Sequence, residues 1–114
     1  MTASLGRAHP DTQSQLRIAA HLRGRNGQTA ESVKSLTSLL AESESLFGRQ
    51  DDGTRVCREY LAEALERDGD VRGALRLVNQ AIVEEEQRIF HLECRSTPDI
   101  VKLRAARERL TARV

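Results

Sequence analysis

Arg25, Arg67 and Arg109 stand at successive intervals of 42 residues. Guanidinium groups in such a row can take carboxylates by bidentate hydrogen bonds, so the chemistry on offer is the grip of an acidic protein segment. The plainer role of each is to complement the C-terminal end of its own helix, at a few tenths to about 1 kcal/mol. A second row joins the first at the same interval, with Arg17 and His21 followed by Glu59 and Glu63. A surface that changes sign within one step either recognises a partner of mixed charge or pairs with itself between neighbouring helices. Exposed pairs of the latter kind contribute roughly 0–1 kcal/mol. These seven residues are the expected partner-binding set.

Catalytic chemistry finds no constellation to work with. His91 and Cys94 supply two donors where a tetrahedral metal site needs four, and His9, His21 and Cys57 fall on separate elements. No metal and no cofactor are expected. Glu84, Glu85 and Glu86 read as the solvated face of an amphipathic helix. No Ser, His and Asp arrangement, phosphate loop or dinucleotide fingerprint can be assigned, so the chain reads as non-enzymatic.

The charged rows follow a repeat in the elements that carry them. Gly6 recurs as Gly48, Thr12 as Thr54, Ala20 as Ala62, Gly27 as Gly69 and Glu42 as Glu84, each at the 42-residue step. A period of that length points to stacked helical hairpins. One hairpin cannot bury its apolar face alone, so neighbouring units make both the core and an elongated surface. The first hairpin spans about 9–47, opening at His9-Pro10-Asp11-Thr12 and turning at Arg25-Asn26-Gly27, with Val33, Leu36, Leu40 and Phe47 along its second helix. The second spans about 52–90, with Asp51 or Asp52 as N-cap, a turn at Arg67-Asp68-Gly69-Asp70, and Val71, Ala74, Leu75, Val78, Ile82 and Ile89 on one side of its second helix. A last helix, about 97–112, starts at Thr97-Pro98-Asp99 and caps the stack, with Arg104, Arg107 and Glu108 outward. The expected architecture is a single all-α domain over 1–114, a right-handed α-solenoid of two and a half repeats and five helices.

Composition agrees. The 114 residues are 31% charged and 3% aromatic, which suits a surface-rich helical assembly and not a strand-rich sandwich. A formal net charge of +1 carries no polybasic footprint, so nucleic acid is not an expected partner. The balance is uneven: +2 over 1–50, −4 over 51–96 and +3 over 97–114. Two cysteines form no disulfide framework, and no run reaches the roughly 20 apolar residues of a membrane helix, which together favour a reduced, cytoplasmic protein without membrane association.

The segments LGRAHPDT (5–12) and REYLAEALERDG (58–69), with the 42-residue period, resemble tetratricopeptide repeats of the kinesin-light-chain type, common in bacterial multi-repeat proteins. The resemblance covers essentially the whole chain, strongest in the second unit. It places the family's small and apolar signature on Leu16, Ala19, Ala20, Gly27, Ser32, Leu36 and Leu39, then on Leu61, Ala62, Leu65, Gly69, Ala74, Val78 and Ala81. Arg23 and Arg58 depart from it, standing where core apolar residues are usual. The resemblance implies binding of a peptide or protein segment on the concave face made by the first helices of successive hairpins. The paired asparagines that often read the ligand backbone there are replaced by Arg17 with Ile18 and by Glu59 with Tyr60. A non-catalytic protein-interaction module is therefore the expectation, with an acidic segment as the fitting partner. The alternatives are self-association, as a homodimer or scaffold, and a regulatory part in a bacterial transcription or signalling system.

Overall fold

The computed structural model describes residues 6–91 and 97–114, with no side-chain description for His91. Five helices follow in order: α1 Pro10–Arg25, α2 Thr29–Phe47, α3 Asp52–Arg67, α4 Val71–His91 and α5 Pro98–Arg113. Their starts are set by local chemistry. His9 Nδ1 accepts the Asp11 N–H at 3.1 Å, Asp51 accepts the N–H groups of Gly53 and Thr54, and Thr97 accepts that of Ile100 at 3.2 Å. Each cap satisfies donors that the first turn leaves orphaned. Pro10 and Pro98 stand at the first turn, where a missing N–H costs nothing.

Both hairpin turns close in one way. After α1 the Gln28 N–H bonds the Arg23 carbonyl and the Gly27 N–H that of Gly24; after α3 Asp70 bonds Leu65 and Gly69 bonds Glu66. This is the Schellman arrangement, which requires a left-handed residue after the cap. Gly27 and Gly69 supply it with φ of 99° and 90°.

The helices form two layers, consistent with overall extents of 45 × 34 × 19 Å. Helices α1, α3 and α5 make one layer, and α2 and α4 the other, each helix packing on its neighbours in sequence. The core divides in two. Ala20, Leu36, Leu39, Leu40, Cys57, Leu61 and Ala64 knit the first hairpin to α3, while Ala74, Val78, Ile82, Ile89, Ile100 and Leu110 knit α4 to α5. At the junctions of successive units polar pairs replace apolar ones: Ser43 shares a 2.7 Å hydrogen bond with Thr54, and Thr97 donates to Glu85 at 2.8 Å.

Three details depart from the sequence expectation. Arg109 lies one turn inside its helix while Arg25 and Arg67 end theirs, because α5 begins at Pro98, as its start signal indicates, four residues past the period set by Pro10 and Asp52. The residue that ends α5 is Arg113. Secondly, the glutamate run is not a solvated face. Glu85 is 4% exposed because it continues the stripe of Val78, Ile82 and Ile89, and it is satisfied by Thr97 and Arg88. Glu84 is gripped by Arg49 and Arg58, and Glu86 alone of the three is exposed. Thirdly, Arg58 does occupy a core position, 5% exposed, donating to Glu84 and to the Arg49 carbonyl, whereas Arg23 is exposed.

Candidate functional site

Where α3 follows α1 the two helices touch, but α5 does not close on α3 in the same manner: among the described residues no Cα of one lies within 8 Å of the other. A cleft of about 1260 Å³ opens between them over α4. Its floor is apolar and half-buried, made by Ala62, Leu77, Ala81, Leu103 and Ala106 around the buried Val78. The four-residue delay before α5 and the long α4 beneath it accompany this opening.

Long charged side chains span the gap. Arg55 of α3 pairs with Asp99 of α5, Glu59 with Lys102 at 3.0 Å, and Glu66 with both Arg109 and Arg113. The partners run in the same order along both helices, so α3 and α5 are parallel. Hydrogen bonds from Arg109, then from Arg113, hold the Glu66 carboxyl below its ordinary range against the opposing effect of its desolvation. A related pair recurs at the repeat interval, with Arg7 on Glu42 away from the cleft and Arg49 on Glu84 in its lining, each tying the segment before α1 or α3 to the helix that follows it. Glu42 is likewise lowered, first by Arg7 and then by Gln13.

The seven residues expected to bind a partner do not form one site. Glu59, Glu63, Arg67 and Arg109 line the cleft. Arg67 pairs with Glu63 of its own helix at 2.7 Å, and Arg109 reaches Glu66, so two members of the arginine row already hold carboxylates of this chain. Arg17 and His21 sit instead at the contact of α1 with α3. The His21 ring stacks on Tyr60 at 3.9 Å and 8°, with Nδ1 3.8 Å from Glu63, which is the internal pairing weighed above. The Arg17 guanidinium packs over Gly53 and its Nε is buried without a hydrogen bond. Arg25 is exposed beyond the cleft and forms no ion pair among the described residues. Lys102, Arg113, Arg55, Asp99 and Glu66 were absent from that set. Their signal is an opposite charge one period plus one or two residues downstream, as in Glu59 with Lys102 and Arg55 with Asp99.

Cys94 and the His91 side chain lie outside the described residues. Among those described, no group of three or more metal-ligating side chains comes together, and no helix is long and apolar enough to cross a membrane.

Helical hairpins of one plan, joined by identical turns and capped by a fifth helix, define an all-α fold of the tetratricopeptide-repeat kind. The chain is similar to proteins described as clustered mitochondria protein homologs from Aspergillus fumigatus, Neosartorya fischeri and Aspergillus clavatus, in each case 36% identical over 76 residues. That stretch is 67% of this chain, which spans only 6% of those much longer relatives. The similarity fits the helical-repeat fold described above. The relatives are fungal and lend no support to a bacterial setting. No family model matches the chain, and no solved structure matches it significantly.

Proposed function

We propose that this chain is a non-catalytic interaction module that seats a segment of another protein in the cleft between α3 and α5. The observation that carries the reading is the cleft itself: about 1260 Å³, bounded by two parallel helices and floored by half-buried aliphatic side chains. That is larger than the roughly 300–1,000 Å³ of small-molecule sites and suits several side chains of a polypeptide. It lies on the layer formed by α1, α3 and α5, which is the face the repeat resemblance assigns to ligands.

Site-directed photo-crosslinking tests it. A photoreactive residue replacing Ala105, exposed and lining the cleft, is expected to trap a defined protein from the source lysate, and one replacing Lys34, exposed on α2, is not. Equal trapping at both positions, or trapping only at Lys34, contradicts the assignment.

A further inference from the structure

The cleft is neutral by construction. Fourteen charged side chains line it, seven of each sign, and every one holds an ion pair. Thirteen of them pair with one another inside the lining, and Glu85 pairs with Arg88 just outside it. An incoming acid or base therefore finds no open counter-charge and gains only by breaking a pair already made. What the lining leaves under-used is its aliphatic surface, since Ala62, Leu77, Ala81, Leu103 and Ala106 are all only half-buried. Above that surface the bonds of Lys102 to Glu59 and of Arg109 and Arg113 to Glu66 cross from wall to wall.

We propose that the cleft recognises an uncharged, aliphatic segment of a partner protein, and that the cross-cleft pairs of Glu59 and Glu66 act as struts that must part for it to enter. This rests on the reading of the cleft as the binding site and names what it selects. Glu59 and Lys102 are 55% and 66% exposed, so salt reaches that strut readily; Arg109 and Arg113 are 57% and 47% exposed on a Glu66 that is 15% exposed, so salt reaches the second strut from its arginine side. Screening weakens exposed pairs and leaves aliphatic contacts intact or stronger. Binding of a neutral apolar ligand should then rise with salt, the reverse of what a charged interface shows.

The test uses the neutral fluorescent dye Nile red on the full chain, with circular dichroism as the control of folding. Between about 20 mM and about 300 mM NaCl the wild type is expected to gain roughly threefold or more in dye affinity, because several exposed pairs weaken together. Glu59→Gln with Glu66→Gln should bind the dye at low salt as the wild type does at high salt, and lose the salt response. Glu31→Gln with Glu108→Gln, which removes two exposed carboxylates elsewhere, should behave as wild type. Ala105→Glu, which adds a charge to the cleft wall, should lower binding in all conditions. If Ala105→Glu changes nothing, the dye sits elsewhere and the cleft reading fails. If Ala105→Glu lowers binding but neither salt nor the Gln pair alters it, the cleft stands and the struts do not. Displacement of the dye by hexaglutamate at low salt would overturn the uncharged partner in favour of an acidic one, and salt-promoted dimerisation in light scattering would put a second copy in its place.

Discussion

Lys102 Nζ lies 3.0 Å from Glu59 Oε1, joining two helices whose backbones stay apart. The pair is the middle rung of three, between Arg55 with Asp99 and Glu66 with Arg109 and Arg113. Its sign is opposite to that of the first rung: α3 presents a base and then two acids, and α5 an acid and then bases. Sliding α5 by one rung would set Asp99 against Glu59, which like-charge repulsion disfavours. The order of charges thus holds the register of the third unit while the apolar contacts of Ile100 and Leu110 with α4 hold its position.

The repeat turns and the helix crossing can be tested with two glycines of different kinds. Gly69 has φ +90 with open space around it, so Gly69→Val strains only the backbone and should cost about 1–3 kcal/mol. Gly24 is helical, and a Cβ there would meet Ser32 Oγ at 2.7 Å and Ser32 Cβ at 2.9 Å. Gly24→Ala should therefore destabilise, although Ala exceeds Gly by about 1 kcal/mol in an unencumbered helix. Urea midpoints decide both, and a stabilised Gly24→Ala would show that α1 and α2 cross further apart.

Arg58 gives a graded prediction. Removing a partner of a buried ion pair leaves the other charge unsatisfied, whereas an apolar replacement of similar volume is often neutral or better. Arg58→Ala should lose about 2–4 kcal/mol, allowing for the help that Arg49 still gives Glu84. Arg58→Met should lose markedly less, since it keeps most of the volume and stands one 42-residue period after the apolar Leu16. Equal losses in the two variants would mean that the guanidinium itself is what the site needs.

Particular residues show how far the sequence could be read. The hairpin turns at Gly27 and Gly69, a cap at Asp51 or Asp52, the helix start at Thr97-Pro98 and the stripe through Val78, Ile82 and Ile89 follow from local rules, and the structure has them, with Asp51 as the cap. Glu85 departs from the solvated face that its charge suggests because it stands on that stripe, and Thr97 and Arg88, one outside the helix, make its burial tolerable. The arginine row does not end its three helices alike, because α5 starts where Thr97-Pro98 indicates, four residues past the period that spaces the arginines. The cleft was not legible at all, since it depends on how far α5 stands from α3, a tertiary distance that neither helix encodes alone.

Acid should loosen the molecule by a traceable route. The carboxyls of Glu42 and Glu66 are held below their ordinary value of 4.5, chiefly by hydrogen bonds from Arg7 and Arg109. Groups lowered on folding contribute stability that is complete above the unfolded value and is lost as pH falls through the folded one. Stability should thus decline below pH 4.5, and Glu66→Gln should flatten part of that decline in denaturant melts at stepped pH. An unchanged slope would detach Glu66 from the acid transition.

Burial pushes the Cys57 thiol up to about 11, with Arg17 and Arg58 opposing. The native thiol should therefore be inert to Ellman's reagent near neutral pH in a Cys94→Ser background and react at the rate of unfolding. Because the unfolded thiol ionises from 9.0 while the native one stays protonated, stability should also fall as pH rises from 9.0 towards 11. Prompt reaction in the native state would show that Cys57 is not sealed by its neighbours.

Binding in the cleft is decided by the affinity of the protein trapped at Ala105 for the wild type and for Ala105→Glu, taken by calorimetry with helicity as a control. A charge placed among aliphatic contacts of a closed interface typically costs about 2 kcal/mol or more, so a loss of at least roughly thirtyfold is expected with folding unchanged. Equal affinities in the two proteins would contradict it, and would move the interaction away from the cleft between α3 and α5.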